Sequence, residues 1–418
     1  MVNFGVFFVI ATSVAFWGIF LSAAVNIFRK MAGKPDVQWV NWVQRLVSEE
    51  GKSRLHIYAQ IVVFALLVRL AMLVFGWFLL EMREGATLAT LFQSFSRWDA
   101  AHYLTLAETG YGWQEDGRNI LLVFFPLYPY LVRLVGFATD NYLVAAYIVS
   151  FTSYCAAMVY LYRLVRLDFS EKTAWWTIIL ISIAPHAFFF GAPYTESLFL
   201  LTTTMTLYYI RTHKWLLAGL AGAFASFTRM AGIILIVVAV VEFITHYKVR
   251  EIFTKGVWIL VMLAGSGAYM LLNWYISGDP LRFMYYQSNH WYNNTQYFGT
   301  TMMTQFRNIV NFQDQILINA TFVPNILAFA FAIAMLMYAH AKKLNLTFIV
   351  FALGYTLVSF APSWLLSGGR YVAACAVLFI FLAHFTEGKP WRRLVIPLAC
   401  LVGLFFIMGT FINGGPVF

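Results

Sequence analysis

Uninterrupted apolar stretches of about 20 residues recur from end to end of this 418-residue chain. Hydrocarbon offers no water to a bare peptide group. Segments of this kind must therefore close their backbone hydrogen bonds internally, as helices. Composition agrees: 61% of residues are hydrophobic and 11% charged, where soluble domains carry about a quarter charged residues. An all-α polytopic membrane protein follows. The polar stretches are too short for a separate soluble domain, so residues 1–418 are expected to form one domain.

Spans are expected near 4–28, 57–80, 142–162, 173–190, 193–211, 215–227, 230–246, 256–277, 321–339, 345–360, 370–385 and 393–413, about 12 in all. The first apolar run, Val6 to Phe28, is long for a signal-peptide core and lacks a basic leader, so it reads as a retained extra N-terminal span. Several spans fall short of 20 residues, which implies local thinning or interrupted helices around a cavity.

With these spans the lysines sort to one side. Lys30, Lys34, Lys52, Lys172, Lys214, Lys248, Lys255, Lys342, Lys343 and Lys389 all lie in loops on that side, and the chain has no others. The positive-inside rule makes it the cytoplasmic side. The net charge of +10 is thus a topology signal and an affinity for anionic headgroups, not a nucleic-acid footprint, since no basic stripe interleaved with aromatics is present. The opposite side holds two long loops, 81–141 and 278–320. The first contains the apolar run Ile120 to Phe137, broken by Pro126 and Pro129, which free backbone groups inside a helix. Were it to cross, Arg163, Arg166 and Lys172 would move outside. It is expected instead to be an interfacial helix, with Phe124, Phe125, Tyr128 and Tyr130 at headgroup level. Cys155, Cys375 and Cys400 match no zinc spacing and read as buried free thiols.

Charged groups in apolar surroundings tend to line a cavity. Here they gather on the lysine-free side: Asp99, Arg118, Arg133, Glu196, Arg229, Asp279, Arg282 and Arg370, with His102, His186 and His290. Arginine's planar fork grips phosphate through paired donors and keeps its charge when partly buried. Asp99 and His102 are three apart and share a face if 99–109 is helical. Asp99 is then either a general base or the N-cap of that helix, and His102 either a catalytic partner or a hydrogen-bonded structural histidine. Glu196, in Pro193-Tyr194-Thr195-Glu196-Ser197, either initiates a helix or accepts hydrogen bonds from sugar hydroxyls. Arg229 and Arg370 are either phosphate contacts or border arginines reaching the interface. Arg69, in the middle of a span, either pairs with an internal acid or snorkels. Tyr286, His290, Trp291, Tyr292 and Tyr297 make the second loop aromatic, suited to packing on sugar rings or to an interface belt.

The run Arg97-Trp98-Asp99-Ala100-Ala101-His102-Tyr103-Leu104 to Ala107-Glu108-Thr109-Gly110-Tyr111, then Phe124-Phe125-Pro126-Leu127-Tyr128-Pro129, resembles the first luminal loop of the PIG-V-type mannosyltransferases. These enzymes add the second mannose to glycosylphosphatidylinositol. Pro193-Tyr194-Thr195-Glu196-Ser197-Leu198-Phe199, the stretch Leu220 to Gly232 with Thr228-Arg229, Gly278-Asp279-Pro280 and Arg370-Tyr371 are similar in kind and in order. The resemblance implies a GT-C bundle and an inverting transfer of a sugar, mannose by likeness, from a polyprenyl-phosphate or dolichyl-phosphate donor. The acceptor, a glycan, lipid or protein, stays open. It places Asp99 at the reaction centre. The polar residues themselves add His102 as the expected partner of Asp99, with Arg118, Tyr194, Glu196, Arg229, His290, Arg370 and Tyr371 expected against substrate. No cofactor is expected. Some relatives carry a second acid where this chain has Ala100 and Ala101, so a divalent metal stays open. Short loops point to a prokaryotic plasma membrane with the site extracytoplasmic. The competing reading is a lipid-linked sugar flippase, which would use the same arginine-lined cavity without chemistry.

Overall fold

The computed structural model describes residues 2–32, 53–112 and 118–418. Lys34 and Lys52 fall outside the described residues. Within them the chain is helical, and the sole β pairing is an isolated bridge between Thr295 and Pro362.

In chain order the helices are α1 (Val2–Ala32), α2 (Ser53–Glu84), α3 (Leu88–Ser94), α4 (Asp99–Thr109), α5 (Leu127–Thr139), α6 (Tyr142–Val165), α7 (Glu171–Ser182), α8 (Glu196–Arg211) and α9 (Trp215–Thr228). They continue as α10 (Ile234–His246), α11 (Leu263–Ser277), α12 (Arg282–Asn289), α13 (Phe298–Asn311), α14 (Val323–Ala341), α15 (Leu346–Ser359), α16 (Gly368–Ala373), α17 (Ala376–Glu387) and α18 (Arg392–Ile412). Among the described residues, six helical stretches are long and apolar enough to cross a membrane: Asn3–Met31, Leu55–Met82, Tyr142–Val165, Gly256–Ser277, Gln315–Ala341 and Arg392–Ile412. The protein is an integral membrane protein.

The short and interrupted helices expected from the sequence are present beside these six. Helices α9, α10, α15 and α17 are apolar but short, as are α7 and α8. The reason is visible at α7. It stops at Ser182, ahead of Pro185, and the chain continues as a buried 3-10 turn, Ala187–Gly191, before α8 begins. Irregular backbone of this kind is tolerated in apolar surroundings only when protein covers it. Arg69 supplies part of the cover. Its guanidinium is buried and donates to the carbonyls of Ser182 (2.7 Å) and Ala187, with the Tyr154 ring 4.5 Å away. Arg69 therefore neither pairs with an acid nor snorkels; it caps the carbonyl end of α7, where the helix dipole favours a cation.

The proline-broken run of the first long loop behaves as expected in part. It is a 3-10 turn, Ile120–Val123, followed by the 13-residue α5, too short to span. Pro126 is its N-cap and Pro129 sits in its first turn, where a missing N–H costs nothing. Its aromatics are not a headgroup belt, however. Tyr128 is 0% exposed and Phe124 8%, while Tyr130 reaches 36%. Tyr128 donates to Ala146 or pairs with Ser150 on α6, so these rings build a second apolar cluster with Tyr103, Leu198 and Tyr286.

Helix α8 sets the polar geometry. Glu196 opens it and Arg211 closes it, about 22 Å apart at 1.5 Å per residue. Lys214 follows directly on the Arg211 end, whereas the residues singled out above as site candidates collect at the Glu196 end.

Candidate active site

The approach to Asp99 is tightly turned. Helix α3 ends at Phe95, and Trp98 is held at φ 52°, a conformation bulky residues avoid. Two contacts hold the turn: Tyr194 Oη donates to the Arg97 carbonyl (2.6 Å), and the Trp98 ring packs on Phe418 at 4.5 Å. Asp99 is then the first residue of α4, with Trp98 as N-cap and no side-chain capping bond. The N-cap alternative for Asp99 is thereby overturned. Its carboxylate, released from capping, faces another part of the chain.

That partner is Arg370. Its Nη2 donates to Asp99 Oδ2 at 2.6 Å, while its Nε lies 3.0 Å from Glu196 Oε1. The Nε contact is an ion pair outside hydrogen-bond geometry. Glu196 Oε1 in turn accepts from Arg229 Nη1 at 2.9 Å. A chain of alternating charges results, Asp99, Arg370, Glu196, Arg229, drawn from four separate segments. The charges cancel, which is what makes their burial tolerable. The Glu196 side chain is 1% exposed and that of Arg370 5%, but that of Asp99 is 31% exposed. The carboxylate at the end of the chain is the open one.

Aromatic faces line the guanidinium groups. Arg370 lies 5.2 Å from the Tyr194 ring and 5.4 Å from Phe189; Arg229 lies 5.0 Å from Tyr371. Ring faces attract cations, and more so away from water. Glu196 also sits in the first turn of α8, as its helix-initiating reading has it, with Oε1 facing two guanidinium groups.

Arg370 reaches this position because Ser367-Gly368-Gly369 precedes it. A Cβ on Gly369 would lie 2.2 Å from the His186 ring, and one on Gly368 2.9 Å from Asn325 Oδ1. Only glycine lets α16 seat this closely. His186 is thus a positioning residue, one that the sequence showed only as a polar group on the right side.

Six of the nine sequence candidates meet here: Asp99, Tyr194, Glu196, Arg229, Arg370 and Tyr371. His102 stands one turn along α4 from Asp99 but faces rings, with Phe124 at 5.1 Å and Trp291 at 5.5 Å. Burial pushes its pKa below the usual value, and the nearby Asp99 charge offsets this in part. His290 lies beyond, edge-on to Trp291 at 5.4 Å. Arg118 is exposed on the loop before the 3-10 turn. Its neighbour Asn119, which sequence reasoning passed over, is 3% exposed with both side-chain polar atoms unpartnered. Glu196 Oε2 and Arg370 Nη1 are also buried without hydrogen-bond partners. Polar atoms left this way are costly unless something else meets them.

The middle of the chain, residues 125–274, matches the family model for dolichyl-phosphate-mannose-protein mannosyltransferase. GPI mannosyltransferase 2 of Drosophila melanogaster is 31% identical over 113 residues, 24% of each chain. That of Schizosaccharomyces pombe is 27% identical over 123 residues, 28% of this chain and 25% of its own. That of Cryptococcus neoformans is 29% identical over 149 residues, 33% of this chain and 34% of its own. The chain is similar to the PIG-V-type mannosyltransferases. The matched stretch spans only about a quarter to a third of these relatives. Among solved structures, the apo Archaeoglobus fulgidus oligosaccharyltransferase is 13% identical with a TM-score of 0.46, over 86% of this chain and 56% of that one. The same enzyme with an inhibitory peptide and a dolichol-phosphate gives 12% and 0.46 over the same shares.

Proposed function

We propose that this PIG-V-like protein is an inverting GT-C-type mannosyltransferase. It moves mannose from a polyprenyl-phosphate donor to an acceptor hydroxyl at the face opposite the lysines. The observation that carries this reading is Arg370 bridging an open Asp99 to a buried Glu196, with one guanidinium nitrogen unpartnered.

The chemistry asks little acid catalysis, since phosphate is already a good leaving group. It asks for a base and for positive charge where the phosphate departs. Arg370 Nη1 and Arg229 receive the donor phosphate, and the phosphate competes with Asp99 for the Arg370 fork. Asp99, freed from its pair, is open to the acceptor. Its carboxylate takes the acceptor hydroxyl proton as that oxygen attacks the anomeric carbon. The carbon–oxygen bond to phosphate breaks, and the electron pair leaves on phosphate, held by the arginines. Attack opposite the leaving group inverts the carbon. Charge balances: one negative charge on the donor phosphodiester plus one on Asp99 become two on the phosphate monoester. Glu196 keeps both guanidinium groups in place, Tyr194 fixes the turn before Asp99, and the Tyr371 ring supports Arg229. His102, neutral in its aromatic setting, positions Asp99 or the acceptor. His290, Arg118 and the unpartnered Asn119 amide lie outward, where an acceptor would rest.

The test is transfer of labelled mannose from polyprenyl phosphate by purified protein. Asp99→Asn keeps shape and removes basicity, so transfer should fall by about 100- to 10,000-fold, the usual range for a positioned base, with the protein still folded and its unfolding temperature lowered because Arg370 loses a counter-charge. Full turnover by the variant ends the base assignment. A protein that carries labelled donor across vesicles without transferring sugar would be the flippase instead.

A further inference from the structure

The opposite end of the bundle holds a second polar cluster that the transfer reaction leaves unused. His213 stands in the turn between α8 and α9 at φ 55°, in the left-handed region. Glu242 is on α10, 3% exposed, and His246 ends that helix one turn later. A ligand atom from each lies within 4.8 Å of the other two. His213 Nε2 is 3.3 Å from Glu242 Oε1, and His246 Nδ1 is 3.7 Å from the same oxygen. Two ligands about 2.0–2.1 Å from a tetrahedral ion stand roughly 3.3 Å apart.

Charge also points to a cation. Arg211 grips Asp168 through two bonds, 2.6 and 3.0 Å, and lies 3.7 Å from Glu242. One guanidinium faces two carboxylates, so the second carboxylate takes its balancing charge from a protonated histidine or from a bound cation. One outer contact suits a metal-bound imidazole. Tyr247 Oη is 2.9 Å from His213 Nδ1 and can take its proton, leaving Nε2 free to bind. His246 turns Nδ1 to both its own helix's Glu242 carbonyl, at 2.8 Å, and Glu242 Oε1, so an ion bound there displaces the carbonyl contact. Thr347 donates to Glu242 Oε2, leaving Oε1 turned toward both rings. The rings keep partial exposure, 11% and 17%, which gives an ion a way in and an open fourth position.

We propose that His213, Glu242 and His246 bind one divalent transition-metal ion of zinc type, clamping the α8–α9 turn to the end of α10. The site is independent of the transferase reading, and its test needs no activity assay. Chelator-stripped full-length protein in detergent is titrated with Co²⁺ and with Zn²⁺. One equivalent of Co²⁺ should give the visible absorption of a tetrahedral centre, and Zn²⁺ should displace it and raise the unfolding temperature. Glu242→Gln and His246→Gln should each weaken binding more than about 100-fold, beyond the 10–100-fold typical of losing an outer partner. His56→Gln, at an exposed histidine on α2, should bind as wild type does. No cobalt absorption and no zinc shift in the wild type would mean the second carboxylate is balanced by a protonated histidine, and the proposal fails. It fails equally if His246→Gln binds unchanged, or if His56→Gln weakens binding as much as the site variants.

Discussion

At the scale of single residues, the site depends on which groups share a proton or a fork. Arg370 contacts two carboxylates with different nitrogens and has a third nitrogen to spare. Lysine carries the same charge but cannot hold that geometry. Arg370→Lys should therefore lower kcat/KM for mannosyl transfer by about 10- to 150-fold, the size of one charge-assisted hydrogen bond. Unchanged kcat/KM would show that charge alone suffices. His102 offers a pH test. Its pKa is depressed in the fold by burial, against the opposing Asp99 charge. The unfolded chain takes up the proton near pH 6.5 while the folded one resists it. Its contribution to stability is thus full above that pH and is lost as pH falls below it. His102→Phe removes the loss, so between pH 7.5 and 5.5 its unfolding temperature in detergent should drop less than that of the wild type. Parallel drops would mean that His102 titrates as in the unfolded chain.

At the scale of elements, the site is assembled by helix ends and close approaches. α4 delivers Asp99 from its first residue, α8 delivers Glu196 from its first residue, and the short α16 delivers Arg370 past two glycines. The sequence displayed the glycines, but not their purpose, because the groups they accommodate, His186 at Gly369 and Asn325 at Gly368, lie far off in the chain. Gly369→Ala should cost about 1–3 kcal/mol through overpacking and cut transfer by displacing Arg370. Adding His186→Ala should return part of the stability, a coupling measurable by a double-mutant cycle. Strict additivity would show that the two do not meet. The helix boundaries show a similar limit. The expected span 193–211 matches α8, but 173–190 runs past the end of α7 at Ser182 and through the buried turn Ala187–Gly191 that Arg69 covers, which apolar run length cannot show.

At the scale of the whole molecule, two charge clusters occupy opposite ends of α8. One is balanced and opens on a carboxylate; the other sets two carboxylates and two histidines about Arg211, beside the lysine-bearing turns. Helix orientation fixes this separation, and the lysines propose its direction. Cysteines introduced at Arg118 and Lys214, both exposed, test it with a membrane-impermeant maleimide on intact cells. Arg118→Cys should be labelled and Lys214→Cys protected; the reverse pattern would turn the protein over and put Asp99 in the cytosol.

Composition and apolar run length determined by themselves that this chain is a helical membrane protein, because unpaired peptide groups are intolerable in lipid whatever the tertiary arrangement. The motif around Asp99 and the order of later motifs carried the likeness to PIG-V-type proteins for the same local reason: they are contiguous. Only the tertiary structure decided that Asp99, Glu196, Arg229 and Arg370 form one neutral chain of charges, that His102 turns to aromatic neighbours, and that His213, Glu242 and His246 converge. Those outcomes depend on distances between segments tens to hundreds of residues apart, which packing sets and no local pattern records.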